Sequence, residues 1–260
     1  MISLDIINKF EKQARWQDSA QIEQDLIISR ALVDLYQNEH IKKTLVFRGG
    51  TALNKLFLNP ASRYSEDIDL VQIKSSAIGE TIDAIRSALH WLGKPQRLMT
   101  KRCVKLIYKY LNVNGLNSKL KIEINTTEHF QVLPLEYKNL EISSEWFYGS
   151  SKISTYHVNE LMGTKLRALY QRRKGRDLFD LWHTANLNLI EVEKVIEIFG
   201  KYCDHNKIKI TKRDFIESLE EKKQNRDFKM DMNLLLPINS NWDFDHAYDY
   251  VMKFIVEKIS

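Results

Sequence analysis

One stretch, Thr44 to Leu70 (TLVFRGGTALNKLFLNPASRYSEDIDL), constrains this chain more than any other. A short apolar strand, Thr44 to Phe47, runs into Arg48-Gly49-Gly50. A helical pattern over Ala52 to Leu58 follows, with Thr51 as its expected N-cap and Pro60 as its stop. A second strand, Ile68 to Ile73, is preceded by Asp67 and holds Asp69. Strand side chains alternate, so Asp67 and Asp69 share one face while Ile68 and Leu70 turn to the core.

Two ionised carboxylates side by side repel, and both stay charged at a cost unless a cation sits between them. Magnesium takes such hard oxygen ligands and shares them with substrate phosphates. A pair of this kind can clamp metal across a phosphate under attack. Glycines let the backbone approach phosphate oxygens, and a helix N-terminus offers free N–H groups and a favourable dipole. Each half is weak alone: Asp-x-Asp also fits a solvated strand start, and Gly-Gly a tight turn with no ligand. Strand, double glycine, helix and acid-bearing strand in that order is a much rarer arrangement. A third carboxylate would complete a two-metal site. In Leu120 to Asn125 the isoleucines face one side, and Lys121, Glu123 and Asn125 the other. If that strand neighbours the Asp strand, Glu123 faces Asp67 and Asp69, as a metal ligand or as the base on an attacking hydroxyl. A Glu–Lys alternation on a wet sheet face fits equally well, and Glu128 is an alternative third acid.

The rest of the chain reads as α+β. Residues 3–39 are helical, with Leu26, Ile27, Ala31, Leu32 and Leu35 as an apolar stripe. Ile78 to Leu92 is an amphipathic helix ended by Gly93 and Pro95. Val104 to Val113 and Lys119 to Asn125 form a hairpin through Asn114-Gly115. Residues 126–155 give no clear pattern and are expected as short strands or loops. From His157 onward helical periodicity dominates, at roughly 157–173, 175–187, 190–203, 211–223 and 242–258. A mixed sheet in the N-terminal half and a helical domain after it follow, as residues 1–155 and 156–260 with a soft boundary near Gly149-Ser150-Ser151.

A net charge of +5 and a pI near 9.0 suit a nucleotide, RNA or DNA partner and equally a lysine-rich wet surface. No run of 18 apolar residues and no secretory leader appears, so a cytoplasmic location without membrane insertion is expected. Cys103 and Cys203 lack metal-ligand spacing and are expected as reduced, half-buried thiols. The seven His are scattered, and neither a Ser/His/Asp elbow nor a P-loop is present.

A second informative stretch is Glu160 to Trp182 (ELMGTKLRALYQRRKGRDLFDLW). Lys165 and Arg172 are seven apart on one helical face, and Lys165 is a candidate for a triphosphate. Arg172, Arg173, Lys174 and Arg176 form a cationic cluster for phosphates of nucleotide or RNA. Asp177 and Asp180 are adjacent on a helix, with Arg173 as the expected i, i+4 partner of Asp177. A solvated helix with ordinary ion pairs is the plainer reading of this stretch alone.

The two stretches resemble the AbiEii/AbiGii family of nucleotidyltransferase toxins, including its MenT-type members. Phe47 to Leu53, Arg63 to Leu70, Lys165 to Ala168, Arg172, Arg176-Asp177 and Asp180 carry the resemblance. It implies a polymerase-beta-type nucleotidyltransferase fold, an NTP donor and Mg2+. The nucleotide site would use Arg48, Gly49, Gly50, Thr51, Ser65, Arg172 and Arg176. Asp67, Asp69, Lys165, Asp177 and Glu123 would be catalytic, and Asp67, Asp69 and Glu123 the metal ligands. It further implies transfer of NMP to RNA, in some members the tRNA 3′ end, and restraint by a cognate antitoxin protein. In some pairs that antitoxin phosphorylates a hydroxyl just before the Asp pair, where Ser65 stands here. A small-molecule or protein hydroxyl as acceptor, or a non-catalytic nucleotide- or RNA-binding module, are the competing readings.

Overall fold

Asp18 accepts hydrogen bonds from the backbone N–H groups of Ala20 and Gln21 and starts the longest helix, α2 (Ser19–Gln37). Before it, α1 (Leu4–Ala14) ends where Arg15 turns left-handed, at φ 60°. The helical stretch expected over 3–39 is divided here, because the left-handed residue closes the first helix and the Asp cap opens the second. The computed structural model describes residues 2–16 and 18–259.

The chain forms two compact units: Met1–Gln131 with Leu135–Tyr156, and Val132–Pro134 with His157–Ser260. The first is built on a seven-stranded sheet. Its strands are β1 (Leu45–Arg48), β2 (Asp67–Gln72), β3 (Gln96–Met99), β4 (Cys103–Leu111), β5 (Asn117–Asn125), β6 (Glu136–Ser143) and β7 (Tyr148–Thr155). Their order is β3-β4-β5-β2-β1-β7-β6. The β2–β5 and β1–β7 pairs are parallel and the others antiparallel, so the sheet is mixed. Three further helices join it: α3 (Glu39–Thr44), α4 (Gly49–Leu56) and α5 (Gly79–Ala88), the last followed by a 3-10 turn at His90–Leu92.

The core lies between α2 and one face of the sheet. Leu26, Ile28, Leu32 and Leu35 of α2 are fully buried, as are Ile68, Ile122 and Ile124 of the central strands. Each such side chain contributes about 1.5–3 kcal/mol of apolar transfer. Alternation then fixes the opposite face: Asp67 and Asp69 are half-buried on it while Ile68 and Leu70 are buried beneath. The pleat that gives the sheet its core thus also presents the acids together.

Several elements depart from the sequence reading. Helix α4 begins at Gly49, so Thr51 lies inside its first turn and extended Arg48 takes the N-cap position. It ends at Leu56, short of Pro60. The 126–155 region holds the β6–β7 hairpin, and β3 adds a fully exposed edge strand.

The second unit contains α6 (Val158–Gln171), α7 (Gly175–Asn186), α8 (Val192–His205), α9 (Lys212–Lys223), α10 (Arg226–Met230) and α11 (Phe244–Phe254). Buried Glu160 accepts hydrogen bonds from the Val132 and Leu133 N–H groups and from the Tyr202 hydroxyl. That carboxylate ties segment 132–134 to the helices. Thr211 and Asp214 form a capping box on α9. Cys103 is half-buried and Cys203 buried, and both are free thiols. Among the described residues no helix is long and apolar enough to cross a membrane.

Candidate active site

The register of three strands builds the site in the sheet unit. Arg48 on β1 stands opposite Asp69 on β2. Asp67 and Asp69 stand beside Lys121 and Glu123 on β5. All four share the face turned away from Ile68, Leu70, Ile122 and Ile124. The neighbourhood of strands that the reading of Glu123 required is therefore present.

The double glycine lies against this face. Gly49 has φ +82°, and a Cβ there would meet Asp69 Oδ2 at 2.5 Å. Backbone conformation and space both demand glycine, because the first turn of α4 presses on the Asp69 carboxylate. Thr51 Oγ1 donates to the Asp67 carbonyl oxygen at 2.5 Å, pinning the same turn to β2. Thr51 thus positions the acid strand rather than capping its own helix.

Gly50 has a different reason. A Cβ there would run into the Arg63 guanidinium. Arg63 is buried, and its Nη1 donates to the Tyr64 carbonyl at 3.0 Å and to Ser65 Oγ at 3.1 Å. Asn54 Oδ1 accepts from Ser62 N at 3.0 Å, Ser62 Oγ at 3.0 Å and Arg63 N at 3.2 Å. Its Nδ2 donates to the Gly50 carbonyl at 2.9 Å. Asn54 and Arg63 fix the loop that delivers Ser65 and Asp67, and the sequence carries no periodic signal for either.

The charges on the face are uneven. Burial, and then the charge of Asp67, hold the Asp69 carboxyl above the usual carboxylate range, with Arg48 opposing. Lys121 Nζ is 2.7 Å from Asp67 Oδ2 and 3.8 Å from Glu123 Oε2. Lys105 Nζ is 3.0 Å from Glu123 Oε2. Burial raises the Glu123 carboxyl, but Lys105 and Lys121 outweigh it and keep the group below its ordinary value. Glu128, the alternative third acid, accepts from Arg48 Nη1 at 2.9 Å and so anchors that side chain.

Asp67 and Asp69 offer hard oxygen donors on one face, and the repulsion between them is what a divalent cation would cancel. Among the described residues no three His, Cys, Asp or Glu side chains form a group that could hold a metal. Two carboxylates completed by substrate phosphates remain a suitable magnesium donor set.

The helical unit has its own charged constellation. Lys165 Nζ is 2.8 Å from Asp177 Oδ1 and 3.0 Å from Asp180 Oδ2, and both acids are fully buried. Arg172 grips Asp177 with a fork, Nε to Oδ2 at 2.7 Å and Nη2 to Oδ1 at 2.9 Å. Burial alone would raise the Asp177 carboxyl, but Lys165 and Arg172 hold it well below the usual range. Arg173, the expected partner of Asp177, pairs with Glu221 instead. The reason is the break between α6, which ends at Gln171, and α7, which starts at Gly175: i, i+4 spacing has no meaning across it. Arg176 donates its backbone N–H to Asp231 Oδ2 at 3.1 Å. Lys165 and Asp177, singled out together in the sequence, thus meet in a buried triad with Asp180.

The family model described as nucleotidyl transferase AbiEii toxin, type IV TA system, matches residues 30–250. No curated protein sequence matches the chain. Among solved structures, MenT4, a nucleotidyltransferase toxin from Mycobacterium tuberculosis H37Rv, is similar with a TM-score of 0.69 at 17% identity. That likeness covers 98% of this chain and 90% of the other. A protein from H. pylori described as a nucleotidyltransferase is similar with a TM-score of 0.57 at 17% identity, over 91% of this chain and 93% of its own. Both likenesses show the nucleotidyltransferase fold. With the family model spanning most of its length, the chain belongs to the AbiEii family, the nucleotidyltransferase toxins of type IV toxin–antitoxin systems.

Proposed function

We propose that this toxin transfers NMP from an NTP to an RNA acceptor, the 3′ end of tRNA, in the cytoplasm, using Mg2+ bound by Asp67 and Asp69. One observation carries the reading: the Asp69 carboxylate lies against Gly49 at the start of α4, with Asp67 one pleat along on the same face. The backbone N–H groups of Gly50 and Thr51 at that helix start suit the donor phosphates. When bound, the metal would neutralise charge on the phosphates under attack. The acceptor hydroxyl attacks the α-phosphorus, a new P–O bond forms, the α–β bridge breaks and pyrophosphate leaves. Glu123, kept ionised beside Lys105, takes the proton of the attacking hydroxyl on a carboxylate oxygen. Arg48, half-buried and held by Glu128, offsets charge beside Asp69.

In the helical unit Lys165 and Asp177 brace the start of α7 and hold Arg172 in place. We assign Arg172 and Arg176 to neutralisation of phosphate. Ser65, bound by Arg63, is the hydroxyl at which a cognate antitoxin would act. A phosphate there would add negative charge near the acids and block the donor.

The test is to incubate the protein with each α-labelled NTP, Mg2+ and total tRNA. Label is expected on the RNA. Its absence with all four NTPs, from folded protein free of antitoxin, would remove the proposal.

A further inference from the structure

Resting on the RNA acceptor just proposed, we infer that Lys109 and Lys119 bind the sugar–phosphate backbone of that RNA. The two lysines stand directly opposite each other on β4 and β5. Both are exposed. Alternation places them on the face that carries Asp67, Asp69, Lys121 and Glu123, since Lys119 is two residues before Lys121 and Lys109 four after Lys105.

The carboxylates on this face do not neutralise them. Glu123 is paired with Lys105 and Asp67 with Lys121, and no carboxylate lies within 4.0 Å of Lys109 or Lys119 among the described residues. Like charges directly opposite on neighbouring strands destabilise a sheet. A polyanion would remove that repulsion. The face thus passes from acids to uncompensated bases within one step of the pleat, about 6.8 Å along the strand.

Sheet order tells donor from acceptor. The strands run β4-β5-β2-β1, and the Gly49-Gly50 turn follows β1. The double glycine therefore flanks the Asp strand on one side and the lysines flank it on the other. An NTP whose phosphates reach the glycine turn leaves the β4–β5 side to the acceptor. Phosphates 5′ of the reacting nucleoside fall there when its hydroxyl is at Asp67 and Asp69.

The experiment measures binding of total tRNA without NTP, across a salt series, for the full chain and for Lys109→Gln/Lys119→Gln. Each phosphate contact on a single strand contributes about 0.7 to the log–log salt slope, so the double variant should lose about 1.4. At ~0.1 M salt relative to ~1 M this is about 25-fold in Kd. Lys109→Arg/Lys119→Arg should keep the slope, and the KM for NTP should not move in either variant. Thermal midpoints report folding, and the Gln variant should melt no lower than the parent because a repulsive pair is gone. An unchanged salt slope overturns the inference. So does a raised KM for NTP with tRNA binding intact, which assigns the lysines to the donor. Loss of antitoxin inhibition with tRNA binding intact overturns it as well. If the parent protein labels no tRNA with any NTP, the acceptor reading falls and this surface with it; if it does, a failure belongs to the lysines alone.

Discussion

Replacing Lys165 by Met tests whether the buried triad is a structural brace. The ammonium lies 2.8 Å from Asp177 and 3.0 Å from Asp180, with both acids fully buried. Met fills similar volume but leaves Asp180 without that cation, while Asp177 keeps Arg172. Breaking a buried pair from one side costs about 3–5 kcal/mol. At roughly 2–4 °C per kcal/mol for a chain of this size, the melting midpoint should fall by about 6–20 °C. The pH dependence carries the sign. In the parent, the depressed Asp177 carboxyl stabilises the fold above the unfolded value of about 3.9, and this is lost as pH falls through the folded value. In the variant Asp177 loses the first of the charges that hold it down against burial, so its carboxyl rises, and the deficit is full at neutral pH and shrinks as pH falls. Differential scanning calorimetry at pH 7.5 and pH 5 should show the larger deficit at 7.5. A deficit under about 1 kcal/mol, well below the range for a broken buried pair, or one equal at both pH values, would refute the brace.

Gly49→Ala must adopt φ +82° and place its Cβ 2.5 Å from Asp69 Oδ2. The strain is about 1–2 kcal/mol, and an acid displaced by ~1 Å should lower kcat by about 100-fold in the tRNA-labelling assay; a kcat within threefold of the parent would contradict the packing argument. Thr51→Val removes the donor to the Asp67 carbonyl, and Thr51→Ser keeps it. Only the Val variant should lose about 1 kcal/mol in urea unfolding. Lys222 donates to the Leu169 and Tyr170 carbonyls, and burial, with Arg173 next, pushes its pKa down to about 8. The unfolded chain then binds the proton more strongly, so stability rises as pH climbs from about 8 toward the unfolded value near 10.4. Urea midpoints at pH 7.5 and 9.5 should show the parent gaining on Lys222→Met, and equal changes in both proteins would count against it.

The central part of the fold is written in the sequence because period and chemistry coincide there. Ile68 and Leu70 alternate with Asp67 and Asp69, and Ile122 and Ile124 with Lys121 and Glu123, so both strands and their faces can be read from one pattern. The β6–β7 hairpin could not be read, since only Leu140 and Ile142 of β6 are buried and alternation is faint on an edge. Edge strand β3 buries none of its residues, and its two apolar side chains, Leu98 and Met99, are adjacent and exposed, so no alternation marks it. At the site, the glycines are legible but their causes are not: Gly50 answers to Arg63, which comes from a loop without periodicity. The Lys165–Asp177 contact spans two helices, so spacing rules for one helix could not find it.

The most direct test is nucleotide affinity with and without magnesium. Isothermal titration of a non-hydrolysable NTP analogue should show binding that is strengthened at least tenfold, about 1.4 kcal/mol, by Mg2+. Asp67→Asn and Asp69→Asn, still folded by circular dichroism, should each lose that strengthening. Affinity indifferent to Mg2+ in the parent, or a strengthening that survives both substitutions, would contradict the account.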